Sequence, residues 1–354
     1  LLVMIIKKIL SFAASIINLL IISIIFAFNS YAQDNNNKYF SNDEGVLSIM
    51  YHRFNEFKYP STNISMNIFK EHVQLILDSN LSFYHPKKFE NEFNTPKKEK
   101  KVLLTIDDGF QSFYDNAWPY LKEKKIPFIL FISTEPVGNK GYMTWEQIKE
   151  IDNSEFAVIG HHSHSHDYLI DKSYEEFLYD IETSSLIFKK ELGYLPTLFS
   201  YPFGEYSKLM RDYISQNFKI AFGQHSGVID INKNKFELPR FPINEKYGEI
   251  KRFKSIVNYS PLEYKILEPE EKKLSKKNNP PKFRVKFFDN QKNINNINCY
   301  SNEGDKWMKS DIKLVDNELT INFREPFLPR RGRINCSLND NGKWRWFGTQ
   351  FIIR

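Results

Sequence analysis

Two adjacent carboxylates, Asp107 and Asp108, and a run of four histidines, His161, His162, His164 and His166, are the positions best suited to chemistry. Thr105-Ile106-Asp107-Asp108-Gly109 ends the apolar run Val102–Ile106 at a glycine, and the histidines follow Phe156-Ala157-Val158-Ile159-Gly160. Both segments read as exits of buried strands. In parallel α/β proteins the loops leaving strand C-termini build the active site. His162 and His166 stand four apart, so one helical turn or a compact loop can aim both at one ion. One aspartate completes a three-ligand set with an open position, and Zn²⁺ is the divalent metal expected there. The other aspartate stays free to take a proton from a water whose pKa the metal lowers to about 7. Read singly, Asp-Asp-Gly is an ordinary turn and the histidine run a solvated loop with loose metal affinity. Together, each after its own strand, they outline a hydrolytic metal site.

The elements that must position these groups alternate. Asn67–Asp78 reads helical, with Phe69, Val73 and Ile76 on one face; Val102–Ile106 and Phe128–Ile132 are strand candidates around a helix near Phe113–Glu123. Ser173-Tyr174-Glu175-Glu176 is a capping box opening a long helix that Gly193 ends. Strands at Thr197–Ser200 and Phe218–Phe222 flank a helix beginning near Ser207. Such alternation implies an α/β fold with a parallel sheet. Residues 261–281 turn charged and proline-bearing, which reads as a linker. From 282 to 354 the period becomes two, as in Phe283, Val285 and Phe287 or Ile334, Cys336 and Leu338, predicting a small all-β sandwich, with an immunoglobulin-like type as one candidate.

The N-terminus reads as an export signal over residues 1–32. Lys7-Lys8 precedes an apolar stretch from Ile9 to Phe28, and Ser30-Tyr31-Ala32 has the form of a cleavage site. Met4 is the expected start and Gln33 the first mature residue; an uncleaved anchor is the alternative. Periplasmic or extracellular residence follows. It suits the two cysteines, Cys299 and Cys336, which can pair in an oxidising compartment and lie far from the metal motifs. The net charge of +6, with 41% hydrophobic and 16% aromatic residues, describes an ordinary globular protein. The basic clusters Lys97–Lys101 and Lys272–Arg284 could favour an anionic envelope surface. They lack interleaved aromatics, and nucleic-acid binding is rejected. Oligomeric state is not legible.

Here a resemblance becomes specific. Thr105-Ile106-Asp107-Asp108-Gly109 resembles the first motif, T-F-D-D-G, of the NodB-homology polysaccharide deacetylases (carbohydrate esterase family 4 type). His162-Ser163-x-x-His166 resembles their second motif and Phe199-Ser200-Tyr201-Pro202-Phe203-Gly204 their third, R-x-P-Y. Tyr142-Met143-Thr144-Trp145 precedes the histidine strand, as often in that family, and Ile49-Met50-Tyr51-His52-Arg53-Phe54 resembles the opening strand of the poly-N-acetylglucosamine deacetylase branch. The resemblance spans residues 45–245 and implies a distorted (β/α) barrel within a catalytic domain over 33–260. It makes Asp107 the general base and Asp108, His162 and His166 the metal ligands. The Phe203 N–H becomes an oxyanion donor, a contact whose loss typically costs about 2.7–4 kcal/mol in the barrier. Tyr142, Trp145 and Tyr201 become candidate groove walls.

Two departures accompany the resemblance. Ser200 stands where the third motif opens with an arginine that pairs with the catalytic aspartate, and Arg240 is the candidate replacement. The late motif carrying the histidine that protonates the leaving amine is missing; His225 is one substitute, His161 and His164 others. The implied activity is hydrolysis of acetamide groups on an N-acetylglucosamine polysaccharide. Alternatives are a peptidoglycan or envelope-glycolipid deacetylase, and a carbohydrate-binding pseudoenzyme that keeps the metal.

Overall fold

The computed structural model describes residues 43–79, 81–289, 291, 293–304 and 306–354, so the expected signal segment lies outside the described residues. The N-terminal part contains β1 (Val46–Tyr51), β2 (Arg53–Phe54), β3 (Asn63–Ile64), α1 (Met66–Leu77), β4 (Ser82–Phe83), α2 (Pro86–Asn91) and β5 (Lys101–Ile106). It continues through α3 (Trp118–Lys124), β6 (Phe128–Ile132), α4 (Trp145–Asp152), β7 (Ala157–His161), α5 (Tyr174–Leu192) and β8 (Leu198–Ser200). It ends with α6 (Lys208–Asn217), β9 (Ile220–Phe222), β10 (Phe241–Pro242) and α7 (Ile250–Ile256). Eight strands form one sheet in the order β10-β1-β5-β6-β7-β8-β9, with β4 also on β5, and every ladder is parallel. This is the distorted (β/α) barrel the resemblance implied.

Local sequence accounts for the elements. Ser173 and Glu176 form the reciprocal cap of α5, and Gly193 ends it at φ 82°. The expected helix from Phe113 is instead a π turn, Phe113–Ala117, followed by α3. Pro119 has no N–H to continue an α-helical ladder there, which breaks the run.

The strands bury both faces, and their alternation sorts the core. Leu103, Ile129, Phe131, Leu198, Ile220 and Phe222 share the barrel interior, while Val102, Leu104, Ile106, Phe128 and Ile159 pack against the helices. The sheet ends, β9 and β10, share no ladder among the described residues. The single bridges Phe222–Leu238 and Val46–Ile229 stitch segment 223–240 across that seam.

The C-terminal part comprises β11 (Ser260–Pro261), β12 (Ile266–Glu268), β13 (Lys273–Leu274), β14 (Arg284–Lys286) and β15 (Asn298–Ser301). After these come β16 (Met308–Lys309), β17 (Asp311–Val315), β18 (Glu318–Asn322), β19 (Arg331–Asp340) and β20 (Lys343–Ile353). One sheet runs β11-β20-β19-β15-β16 with β13 also on β20; the other runs β12-β14-β18-β17. A single apolar core with Phe283, Val285, Leu319, Ile334, Leu338 and Phe351 lies between them. Residues 261–281 are therefore not a bare linker: β11, β12 and β13 hydrogen-bond into both sheets, and Leu262 and Leu274 are core. Strands this short leave no periodic signal in the sequence.

The sandwich covers the barrel seam. Trp346 stacks on Tyr259 with ring centroids 5.0 Å apart, and Gly348 lies so close to Ser226 that a Cβ would meet its carbonyl oxygen at 2.2 Å. Trp344 stays exposed. Among the described residues no helix is long and apolar enough to cross a membrane.

Cys299 and Cys336 face each other across β15 and β19 and form a disulfide closing 37 residues of chain. Replacing both by serine is expected to lower the unfolding free energy by roughly 3–4 kcal/mol, from the loop closed in the unfolded chain. Denaturant titration of tryptophan fluorescence would show it as a lower midpoint; an unchanged midpoint would mean that the closed loop contributes nothing.

Candidate metal centre and active site

Strand alternation sets the site. Along β5, Leu103 and Thr105 point into the barrel, and the same period carries the next interior position to Asp107. Asp107 is fully buried, with Arg240 opposite it. Arg240 Nη1 donates to Asp107 Oδ1 at 2.7 Å and Nη2 to Oδ2 at 2.8 Å. The guanidinium also donates to Ser200 Oγ, Thr105 Oγ1 and the Gly223 carbonyl. The position where the motif arginine was expected thus holds a small acceptor, and the cation arrives from the turn before β10. Burial alone would push the Asp107 carboxyl up. The guanidinium, helped by His162 and His52, outweighs that and holds it below its ordinary value of 3.8.

Asp108 would point outward if the strand continued. It adopts φ 75° instead, a left-handed geometry that aspartate tolerates, and its side chain turns toward the histidines. Asp108 Oδ1 lies 3.3 Å from His162 Nε2 and 3.0 Å from His166 Nε2. Along β7, Gly160 and His162 face the interior; Gly160 passes flush against Phe131, where a Cβ would meet the ring at 2.3 Å. His162 Nδ1 lies 2.7 Å from the Ser200 carbonyl, which can only accept, so that nitrogen carries the proton and Nε2 offers a lone pair. Ser163 and His166, at φ 73° and 56°, fold the loop so that the second imidazole reaches the same point.

Asp108, His162 and His166 form the group able to hold a metal ion, their ligand atoms within 4.8 Å of one another. Asp108 Oδ1 and His162 Nε2 are buried without a hydrogen-bond partner. Burying such atoms unpaired is costly, and a cation would satisfy both. One carboxylate and two imidazoles are donors suited to zinc with open positions.

Other sequence candidates fall elsewhere. Tyr201 alternates outward from β8, is buried against Phe199 and Tyr206, and donates to the Phe236 carbonyl; it is core, not groove. Trp145 opens α4 and packs edge-on against Phe188 of α5, again a packing role. His225 lines a partly open cavity with Tyr206, Glu237 and Lys272 beneath the sandwich, and burial pushes its pKa down to about 4; the charged groups acting on it are Glu237, Lys272 and Arg240, not the two aspartates. His161 points outward among Phe188, Phe199 and Phe218, while the His164 ring meets Thr134 Oγ1. Tyr142 remains at the mouth, half-buried against Phe110 and within electrostatic reach of Asp108. Phe203 sets its ring edge-on to His166, centroids 4.7 Å apart.

One site residue receives no role from the sequence, although it lies within the segment 49–54 noted above. His52 follows β1, whose Tyr51 pairs with Ile106 of β5 and whose Tyr51 carbonyl accepts the Asp107 N–H. That places His52 beside Asp107 and Asp108, half-buried, with Nδ1 unpaired. Burial pushes its pKa down, against the pull of both aspartates. The available signal is positional: a histidine leaving the strand adjacent to the one that delivers the carboxylates.

Residues 94–218 match the polysaccharide deacetylase family model. The Bacillus subtilis protein YxkH is 27% identical over 162 residues, 45% of this chain and 57% of that protein, so the chain spans little over half of that relative's length. A Staphylococcus aureus poly-β-1,6-N-acetyl-D-glucosamine N-deacetylase is 24% identical over 244 residues, 60% of this chain and 83% of that enzyme. Among solved structures, IcaB from Ammonifex degensii superposes with a TM-score of 0.53 at 26% identity, covering 60% of this chain and 97% of that one.

Arg240→Met leaves a buried carboxylate without its counter-charge and is expected to cost about 3–5 kcal/mol of folding stability. Because the folded Asp107 pKa lies below 3.8, the pair stabilises above that pH and is lost as pH falls through the folded value. The gap between wild type and Arg240→Met in urea midpoint should therefore narrow in acid; a gap that widens would contradict this assignment.

Proposed function

Because residues 94–218 match the polysaccharide deacetylase family model, we propose that the chain is an exported, metal-dependent N-deacetylase acting on N-acetylglucosamine polymers. The observation that carries the reading is the buried cluster of one carboxylate and two imidazoles beside a second, arginine-held carboxylate. The disulfide suits an oxidising compartment outside the cytoplasm.

A divalent metal, most simply Zn²⁺, held by Asp108, His162 and His166 would polarise the acetamide carbonyl and acidify the attacking water. Asp107 takes a proton from that water. Arg240 keeps the Asp107 carboxylate ionised and fixes its orientation, so it acts as a positioning residue. The Phe203 N–H faces the oxygen on which negative charge develops. As the C–N bond breaks, a proton must reach the departing sugar amine. His52 is the group proposed to relay to it the proton that Asp107 took, in place of His225, and Tyr142 walls the groove. Water and acetamide become acetate and a protonated amine, so atoms and charge balance.

Acetate release from β-1,6- and β-1,4-linked N-acetylglucosamine oligomers by the zinc-loaded protein tests the reading. Asp107→Asn and His52→Asn should each lower kcat by about 10²–10⁴-fold. Zinc stoichiometry should survive both variants but not His162→Ala. Acetate release that persists in Asp107→Asn would sink the mechanism. A preference for β-1,4 linkages would move the substrate toward chitin-like or peptidoglycan chains.

A further inference from the structure

The turn that carries Phe203 is held from the sandwich. Phe203 sits at φ 59°, ψ 5°, a left-handed conformation that aromatic residues adopt rarely, so the surroundings must enforce it. Gln350 of β20 donates through Nε2 to the Gly204 carbonyl at 3.3 Å and approaches the Phe203 carbonyl at 3.5 Å. The next residue, Glu205, has a buried side chain. It accepts from Arg330 Nε and Nη2, the latter at 2.6 Å, and from Arg331 Nε at 2.7 Å. Above the turn, Arg330 lies 3.7 Å over the Tyr168 ring, whose other face stacks on Phe203 at 4.0 Å. Arg330 also pairs with Asp171, fastening the loop that follows His166. The stack runs from Arg330 through Tyr168 and Phe203 to His166, a metal-ligand candidate.

We propose that the sandwich is a working wall of the active site, in which Gln350, Arg330 and Arg331 are positioning residues for the Tyr201–Glu205 turn. They hold the Phe203 N–H where the oxyanion forms, an inference that rests on the deacetylase reading above. The sandwich in this view is not an appended sugar-binding module.

Gln350→Met and Arg330→Lys test this in the full-length, zinc-loaded protein. The lysine keeps the charge but loses the flat stack on Tyr168 and the paired contact with Glu205. Each variant should lower kcat by up to about 10²-fold through small misplacement, with KM within about twofold of wild type and zinc content unchanged. Hydrogen exchange at amides 203–205 should quicken by about tenfold or more while α5 stays protected. Unaltered exchange in both variants would overturn the clamp whether or not activity is found. Faster exchange with wild-type kcat would overturn its catalytic role. Wild-type protein releasing no acetate from any acetamide sugar would fail the deacetylase reading instead, leaving the exchange result to decide the clamp.

Discussion

A guanidinium sealed inside a barrel is tolerable only if every donor finds an acceptor and the charge meets its opposite. Arg240 meets both conditions. Its donors reach Asp107 twice, Ser200, Thr105 and the Gly223 carbonyl. Those acceptors come from β5, β8 and the chain after β9, so one side chain ties three parts of the barrel to one point. The same contact keeps Asp107 ionised despite burial that would protonate it. Asp107 Oδ2 stays 3.8 Å from His162 Nε2, while the neighbouring Asp108 comes within 3.3 Å of His162 and 3.0 Å of His166. Division of labour between the two carboxylates follows from which of them has a cation.

Much of this is legible in the order of residues alone. The two strand exits and the capping box of α5 announce the barrel and the end that carries the candidate site, and the histidine spacing picks out the pair that lies with Asp108. Period two explains that pair physically: at the end of β7, His161 lies outside and His162, just past the strand, inside. The same period, carried through the third motif, takes Tyr201 out of the groove, since Ser200 points in and Tyr201 out. Trp145 and His225 lie outside the groove because of packing against another helix, or under another domain, a tertiary matter that no local pattern carries. Arg240 can be suspected from sequence only because a cation is required somewhere near Asp107, and 133 positions separate the two along the chain.

The C-terminal region is readable as strands of period two but not in extent. Its earlier strands hold two or three residues each, too short to alternate, and they disappear into a charged, proline-bearing stretch. Their pairing with β20 and β14 nevertheless completes both sheets of the sandwich. An incompletely closed parallel barrel exposes an unpaired seam, and the outer face of the β20 sheet supplies the cover, with Gly348 permitting the close approach. The two parts therefore share an interface made of a close backbone approach together with stacked rings and ion pairs, rather than a tether alone.

That interface has a consequence for when the molecule becomes whole. β4 through β9 pair with strands nearby in the chain and β10 returns to β1, yet the turn beside His166 is braced by β19 and β20, which follow the whole barrel in the chain. The cluster of Asp108, His162 and His166 and the bracing of Phe203 thus draw on separate stretches of one polypeptide, the second needing the antiparallel pair β19–β20.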